Sequence, residues 1–575
     1  MLSLSRKTFQ SRGFLSALLA SVMLFSAVAP ALGWQQGATA PARQSAATLT
    51  SGEKKAADRV KLETIRELTT RLASKEFEGR GTGQPGADKA ANYLAEHFKK
   101  LGLKPGGDNG TYLQPIKFRS TMVLPSSSFA IGDASFKYGS DYILLPPYSS
   151  DQYDVSGGAV FVGYGVVSTA LQRDELADLD LKGKVVIILG GQGPTNVDAA
   201  SWRQAANPQT VMRSLFGKGA LAVIIANAGT PAQPYSTIAN YLSRRRVSLS
   251  PPSPATPSPA APTPPVLLAD NAAMERVFAG SASTFAQTLA KASAGEKVSR
   301  DLGKTATLAL KLKREETTSS NVVGIMEGSD AKLKEEAVVY TAHYDAYGID
   351  GAGTIFPGAA DNALGTATIG AIAEGFVKAY PKPTERPRRS IIFLAVTGEE
   401  YGLLGAEHWV RNPTWPLEKV AANINFDGTG TEVYGPVKRV VGFGAEHSDL
   451  GTVFDEVSVA SGTIVTPDPM PEENAFVRSD HYAFVKRGVP ALMLIGGPAG
   501  EPSTWIPRMK KWMETDYHTP SDTVKADWDW TGPRTLAQVG LVIGLRVANA
   551  EAMPAWKASS PFNRARGTVR GPGGN

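Results

Sequence analysis

The sequence contains no cysteine among its 575 residues. The chain therefore cannot form disulfides, cannot be lipidated on a cysteine and cannot use a thiol as a nucleophile. Histidine is also scarce, with six in the whole chain. Any metal ion must then be held mainly by these few imidazoles and by the carboxylates of Asp and Glu.

The folded part of the chain also lacks an excess of charge of either sign. The formal net charge is +6, from 60 basic and 54 acidic residues. Residues 1–40 carry three cations and residues 553–575 carry four, and neither segment has an acid. The remainder holds 53 basic and 54 acidic residues, so nothing in the charge favours nucleic acid as a partner. The Gly- and Arg-rich segment 553–575 is predicted to be a disordered tail.

The first forty residues have the pattern of a secretory signal peptide. Arg6, Lys7 and Arg12 precede an uncharged apolar run from Phe14 to about Val28, and small residues follow at possible cleavage sites. This apolar run is short for a spanning helix. We therefore expect export to a bacterial periplasm or the extracellular medium, with no stable membrane insertion after cleavage. The alternative is an uncleaved membrane anchor.

Changes in residue composition and hydrophobic periodicity along the chain predict three further regions. Residues 55–127 contain two amphipathic helical patterns, separated by the glycine-rich loop "FEGRGTGQPG", and form the N-terminal part of the main domain. Residues 128–305 consist of short β-like runs bounded by glycine, with a proline-rich loop near 250–265. Residues 306–552 alternate apolar strand-like runs with helical stretches and are predicted to form the rest of the main domain.

The alternation in 306–552 predicts an α/β fold with a doubly wound, mostly parallel sheet. The strand-like runs are "NVVGIM", "EAVVYTAHYD", "SIIFLAVTGEE", "AANINFDGTG" and "VPALMLIGG". In such sheets, sites form at the carboxyl ends of the strands. These ends are therefore where chemistry is expected.

Acids and imidazoles follow successive strands of this region. They are His343, Asp361, the Glu399-Glu400 pair, Asp427 and His518. Taken singly, each has an ordinary reading: a hydrogen-bonded histidine, a helix N-cap aspartate or a solvated loop. Together, these groups would repel or remain unpaired without a cation. Two zinc ions sharing one bridging carboxylate would satisfy them.

The motifs "HYD", "ADN", "TGEE", "NFDG" and "YHTPSD", in that order, resemble the M28 family of zinc peptidases. The resemblance covers Asn321 to Leu545, and "EFEGRGTGQPGADKAANYLAEHF" is similar to the family's N-terminal segment. It implies the zinc exopeptidase fold, with 306–552 as the catalytic zinc peptidase domain. The glycine-bounded strands of Gly157 to Ala226 resemble a protease-associated (PA) domain, so 128–305 is expected to be a β-rich PA insertion.

The resemblance also implies roles for individual residues. Five of them would hold two Zn²⁺ ions: His343 and Asp427 one ion, Glu400 and His518 the other, with Asp361 bridging. Asp345 would orient His343, and Glu399 would be the general base acting on a metal-activated water. A cis peptide bond is expected after Asp361.

A second stretch, "RSDHYAF", places His481 before an apolar turn. We consider that His481 donates a hydrogen bond to the substrate carbonyl or the developing oxyanion. The alternative is that Asp480 and His481 only brace the loop.

The resulting expectation is an exported two-zinc exopeptidase acting on peptides, an aminopeptidase that removes N-terminal residues. A carboxypeptidase of the same family remains open, because Arg478 could receive a substrate carboxylate. So does a glutaminyl cyclase, which shares the fold and normally works with one zinc. The alternative from another class is a non-catalytic, receptor-like binding protein.

Overall fold

The structure is a computed structural model that describes residues 48–226, 234–250, 263–351, 353–428, 436–498 and 500–568. The predicted signal peptide and residues 251–262 of the predicted proline-rich loop lie outside the described residues. Within the described ranges, no helix is both long enough and apolar enough to span a membrane.

The described α-helices are numbered in chain order. They are α1 (Ser51–Ala57), α2 (Leu62–Leu72), α3 (Pro85–Lys100), α4 (Ala199–Ala205), α5 (Pro208–Gly217), α6 (Tyr235–Leu242), α7 (Asn271–Phe278), α8 (Phe285–Ser293), α9 (Leu364–Ala379), α10 (Leu404–Arg411), α11 (Leu450–Ala460), α12 (His481–Val485), α13 (Pro502–Thr515) and α14 (Thr531–Asn549).

The described strands are numbered in the same way. They are β1 (Lys104–Pro105), β2 (Leu113–Val123), β3 (Ser128–Ile131), β4 (Ala134–Phe136), β5 (Tyr142–Leu144), β6 (Gln152–Phe161), β7 (Val167–Ser168), β8 (Arg173–Asp174), β9 (Lys184–Leu189), β10 (Ala222–Ala226), β11 (Arg246–Leu249), β12 (Val266–Ala269), β13 (Arg300–Met326), β14 (Ala337–His343), β15 (Gly348–Ile349), β16 (Ile355–Phe356), β17 (Ser390–Val396), β18 (Val420–Phe426), β19 (Arg439–Phe443), β20 (Ile464–Val465) and β21 (Ala491–Gly497).

The chain divides into two compact units. The main unit takes the described residues of 40–120, 247–251 and 316–575, and the inserted unit takes those of 121–246 and 252–315. The predicted insertion, 128–305, overlaps the second of these. Its identity as a PA domain stays a prediction.

The main unit is built on a sheet with the order β1-β13-β17-β14-β18-β21-β19-β20. Its centre, β17-β14-β18-β21, is parallel, and every residue of β14, β17 and β18 is buried. Continuous apolar strands of this kind are buried on both faces. The predicted α/β fold with a mostly parallel sheet is confirmed.

Alternate residues of β14 serve opposite faces of this sheet. Val338 and Tyr340 belong to the hydrophobic cluster that includes α9 and α14. Val339 belongs to a second cluster, which contains Trp409 of α10 and Phe484 of α12. Helices therefore cover both faces, as expected for a doubly wound sheet.

The inserted unit has its own mixed sheet, with the order β4-β3-β13-β6-β9-β10-β12-β5. The glycine-bounded apolar runs of the sequence form β6, β9 and β10, which pair in parallel. A separate hydrophobic cluster, including the buried row Val185–Leu189, forms its core.

Part of the predicted disordered tail is ordered, contrary to expectation. The Trp556 indole donates a hydrogen bond to the Gly488 carbonyl (2.9 Å). The Arg566 guanidinium donates to the carbonyls of Val420 (2.9 Å) and Ala421 (3.2 Å). The tail's composition indicated disorder, but these side chains anchor residues 553–568 to the main unit.

Candidate metal centre

The site lies at the carboxyl ends of three neighbouring parallel strands. His343 is the last residue of β14, the Glu399–Tyr401 turn follows β17, and Asp427 directly follows β18. Because β14 pairs in parallel with both β17 and β18, these three ends share one edge of the sheet. The topology itself therefore brings the three side chains together.

Two groups of potential ligands meet at Asp361. In the first, His343 Nε2 lies 3.2 Å from Asp361 Oδ1 and 3.4 Å from Asp427 Oδ1. In the second, His518 Nε2 lies 3.1 Å from Asp361 Oδ2 and 3.2 Å from Glu400 Oε2. Asp361 thus presents one carboxylate oxygen to each group. All five predicted ligand residues are brought together, in the predicted pairing.

Asp361 is held in place by the segment around it. It lies in the turn Ala359–Ala363, directly before α9, and the expected cis peptide bond joins it to Asn362. The carboxylate of Asp522 accepts hydrogen bonds from the backbone N–H groups of Ala360 (2.8 Å) and Asp361 (3.0 Å). The Asn362 side chain donates to the Phe426 carbonyl (2.9 Å), which fixes the turn to the residue before Asp427.

The adjacent carboxylates Glu399 and Glu400 face different groups. Glu400 Oε2 contacts His518, whereas Glu399 Oε2 lies 3.8 Å from His343 Nε2. The backbone N–H of Glu399 donates to Asp345 Oδ1 at 3.2 Å, which anchors the turn. The Glu400 carboxylate is therefore available as a ligand, while the Glu399 carboxylate lies beside the two groups of potential ligands.

His343 is oriented from behind by backbone and side-chain contacts. Its Nδ1 lies 3.2 Å from the Asp345 main-chain oxygen and 3.6 Å from Asp345 Oδ1. The closer partner of Nδ1 is thus the carbonyl of Asp345 and not its carboxylate. That carboxylate accepts from the Thr82 hydroxyl (3.0 Å) and from Glu399 N–H, so Asp345 links the histidine to the Glu399 turn.

The electrostatics of the site favour positive charge. Burial lowers the pKa of His343, but the carboxylates of Glu399 and Asp427 outweigh it and raise that pKa well above its usual value. Burial opposes the same effect at His518, where Glu400 and Asp361 raise the pKa to about 9. Burial also raises the pKa of Glu399 well above its usual value, and the charge of Asp427 adds to the effect.

The donor set and its spacing fit divalent cations. The His343 Nε2 atom is fully buried and makes no hydrogen bond within the described part of the chain, although carboxylate oxygens face it. A tetrahedral zinc site with bonds of about 2.0–2.1 Å has ligand–ligand edges of about 3.3–3.4 Å. The His–carboxylate distances of 3.1–3.4 Å match that edge. Imidazole and carboxylate ligands also suit zinc chemically.

Aromatic side chains surround His518. The Tyr347 hydroxyl lies 3.2 Å from His518 Nδ1, and the Tyr517 ring stacks on the imidazole with 3.6 Å between centroids. A small pocket borders Asp361, Glu400 and His518, with Tyr347 and Phe356 among its walls. The open side of the second group is therefore partly apolar.

His481 is not at the open part of the site. Its side chain is fully buried in α12, its ring packs 5.4 Å from that of Phe476, and burial lowers its pKa to about 4. A ring without solvent access cannot reach a substrate carbonyl in this conformation. The alternative, that Asp480 and His481 brace the loop, fits their complete burial.

Sequence reasoning missed several residues that support the ligands. No sequence pattern indicates a role for Thr82, Tyr347 or Asp522. Asp522 is the last letter of the "YHTPSD" motif, and Thr82 lies in the glycine-rich "GRGTG", so both occurred in segments already singled out. No spacing in the sequence relates Thr82 or Asp522 to the ligand it supports, so only the three-dimensional structure reveals these contacts.

Fold and site together define an α/β protein with a candidate dinuclear metal centre. The model of the family described as Peptidase family M28 matches residues 321–543, which contain all five candidate ligands. Through this segment the chain is similar to peptidase family M28. Aminopeptidase YwaD from Bacillus subtilis (strain 168) is 30% identical over 236 residues, 39% of this chain and 43% of that protein. The chain thus spans less than half the length of this relative.

Solved structures show the same fold over most of the chain. An aminopeptidase from Aneurinibacillus sp. strain AM-1 superposes with a TM-score of 0.56 at 20% identity, covering 87% of this chain and 97% of that one. The zinc aminopeptidase BSAP from Bacillus subtilis gives a TM-score of 0.52 at 20% identity, covering 89% and 98%. At such identities the similarity establishes the fold alone.

Proposed function

We propose that this protein is a two-zinc aminopeptidase that removes N-terminal residues from peptides. The observation that carries the proposal is that Asp361 presents one carboxylate oxygen to each of two His–carboxylate groups, with Glu399 beside them. The names of the similar proteins, which are aminopeptidases, support the direction of attack.

In this proposal His343 and Asp427 would hold one zinc ion and Glu400 and His518 would hold the other, with one carboxylate oxygen of Asp361 facing each pair. Bound zinc would supply Lewis-acid chemistry, polarising the scissile carbonyl and making water a better nucleophile. Glu399 accepts the proton of the attacking water and later delivers it to the leaving amine. Its position suits this role, because Glu399 Oε2 lies 3.8 Å from His343 Nε2, beside the residues that would hold the ions.

One contact supports an aminopeptidase over a carboxypeptidase. The Arg478 guanidinium, the candidate receptor for a substrate carboxylate, lies 3.2 Å from Glu473 Oε2 and 3.5 Å from the Tyr517 hydroxyl. An arginine already paired with a carboxylate is a poorer receptor for a second one. A glutaminyl cyclase would differ in metal content, since it normally uses one zinc.

Paired variants of the two adjacent glutamates test the mechanism. Glu399→Gln should lower kcat by at least about 100-fold, the usual contribution of a general base, while zinc content stays at the wild-type level. Glu400→Ala should instead lose zinc, measured by atomic emission after dialysis. Normal peptide hydrolysis by both variants would contradict the assignment.

We also propose that the protein is exported and that the inserted unit is a PA domain. Export rests on the pattern of residues 1–40. Expression of the full chain in a bacterial host, followed by N-terminal sequencing of the processed protein, tests it. A product retaining Met1 in the cytoplasm would contradict export.

A further inference from the structure

The loop Glu78–Gln84, with the sequence "EGRGTGQ", runs alongside the segment between two ligands of the site. We call it the Arg80 loop. It lies outside residues 321–543, the range matched by the family. A parallel bridge pairs Gly81 with Ala346. The backbones approach so closely that a Cβ on Gly79, whose φ is +68°, would lie 2.4 Å from the Phe356 carbonyl oxygen.

Arg80 ties this loop to both ends of the segment. Its guanidinium is fully buried and donates to the carbonyls of Tyr344 (2.5 Å) and Gly358 (2.6 Å). A third bond reaches the Pro357 carbonyl at 2.7 Å. Tyr344 follows the ligand His343 directly, and Gly358 lies three residues before the bridging Asp361. The Arg80 side chain thus bonds to backbone close to two candidate ligands, His343 and Asp361.

Thr82 connects the loop to Asp345, whose carboxylate lies behind His343. Its hydroxyl donates to Asp345 Oδ2 at 3.0 Å and lies 3.3 Å from the Thr397 hydroxyl. The other oxygen of Asp345 accepts from the backbone N–H of Glu399. Removing the Thr82 hydroxyl would therefore take this bond from one oxygen of a fully buried carboxylate, whose other oxygen lies 3.6 Å from His343 Nδ1 and accepts from the Glu399 turn.

Gln84 holds the middle of the same segment. Its side chain donates to the Ile349 carbonyl and accepts from the Ile349 N–H, both at 2.9 Å. Ile349 belongs to β15, which pairs with β16 just before the Asp361 turn. Three side chains of one loop thus contact the backbone or carboxylate of residues 344–358 along their length.

We propose that the Arg80 loop positions the metal ligands, and that Thr82 is a positioning residue which sets how tightly the His343 group retains its metal. The inference rests on the proposed function only in taking both ligand groups to bind zinc. It goes further by assigning metal retention to an N-terminal segment that carries no ligand of its own.

The experiment uses the full chain, stripped of metal and titrated with zinc against a chromophoric chelator. Thr82→Val removes the hydroxyl and keeps the shape, and Thr82→Ser restores the hydroxyl. Thr69→Val is the matched control. Thr69 is also fully buried in the main unit and donates within α2, to the Ile65 carbonyl at 2.8 Å. Thermal unfolding of the metal-free variants checks that the two valine substitutions perturb folding equally.

We expect Thr82→Val to weaken zinc binding at one site by about 10–100-fold, the usual cost of losing a contact that orients a ligand. Thr82→Ser and Thr69→Val should bind as the wild type does. If Thr82→Val does not fold, Gln84→Leu at a partly buried position should weaken zinc binding in the same direction. Wild-type binding of two zinc ions together with unchanged affinity in the Thr82→Val or Gln84→Leu protein would overturn this inference alone. A wild-type chain that binds no zinc would overturn the proposed function and this inference with it.

Discussion

Replacing His481 by leucine tests whether this histidine acts in catalysis or is only a buried structural residue. The ring is fully buried, and neither nitrogen makes a hydrogen bond within the described residues. A leucine of similar size thus removes no hydrogen bond seen in the structure, so we expect the free energy of unfolding at pH 7 to change by less than about 1.5 kcal/mol. Turnover should change less than about threefold, whereas loss of an oxyanion donor costs about 100–1,000-fold.

The same substitution should alter the pH dependence of stability. Burial lowers the pKa of His481 from 6.5 to about 4 in the folded protein. Between these values the unfolded chain binds more protons, so wild-type stability falls as the pH drops through this window. The difference between a pKa of 6.5 and one of about 4 corresponds to about 3 kcal/mol. His481→Leu should escape this loss and gain about 3 kcal/mol relative to wild type between pH 7 and pH 4.

Urea unfolding of the full chain at several pH values measures this difference. Phe484→Leu is the matched control, because Phe484 is fully buried in the same helix and does not titrate. Its stability deficit should stay constant across the pH range. A His481→Leu protein that retains zinc but loses turnover 100-fold would refute the structural reading. So would a stability difference that does not change with pH.

Two further substitutions test contacts that the sequence did not suggest. Tyr347→Phe removes the hydroxyl 3.2 Å from His518 Nδ1. This variant should bind zinc about 10-fold more weakly in a chelator competition, with its free energy of unfolding unchanged. Zinc affinity equal to that of the wild type would show that the contact does not orient the histidine. Arg566→Ala removes hydrogen bonds to the Val420 and Ala421 carbonyls and should lower the free energy of unfolding in urea by about 2 kcal/mol. Arg566→Lys should recover only part of this stability, because lysine lacks the planar guanidinium. An unchanged unfolding midpoint would mean that the tail is not anchored by Arg566.

The sheet and the ligand positions could be predicted because they depend on local pattern. Apolar runs such as Ala337–His343 and Ser390–Val396 are too continuous for a half-exposed strand, and the helices between them imply parallel pairing. Parallel strands end at one edge, so an acid or imidazole after each run must meet the others there. Ligand convergence thus follows from topology.

The supporting residues could not be predicted, because their partners are distant in sequence. Thr82 donates to a carboxylate 263 positions away, and Asp522 holds backbone 161 positions away. No periodicity connects such pairs. His481 illustrates the reverse case: a histidine in a suggestive motif is buried by the packing of α12, which the motif does not reveal. The tail's composition predicts disorder because it reflects the glycines and charges but not single anchoring side chains such as Trp556.

The most direct test of the central claim uses one short peptide with a free and with an acetylated N-terminus. The purified chain, loaded with zinc, is incubated with each, and the products are identified by mass spectrometry. A two-zinc aminopeptidase should release the first residue of the free peptide and leave the acetylated one intact. Equal cleavage of both peptides, or cleavage of neither, would contradict the account.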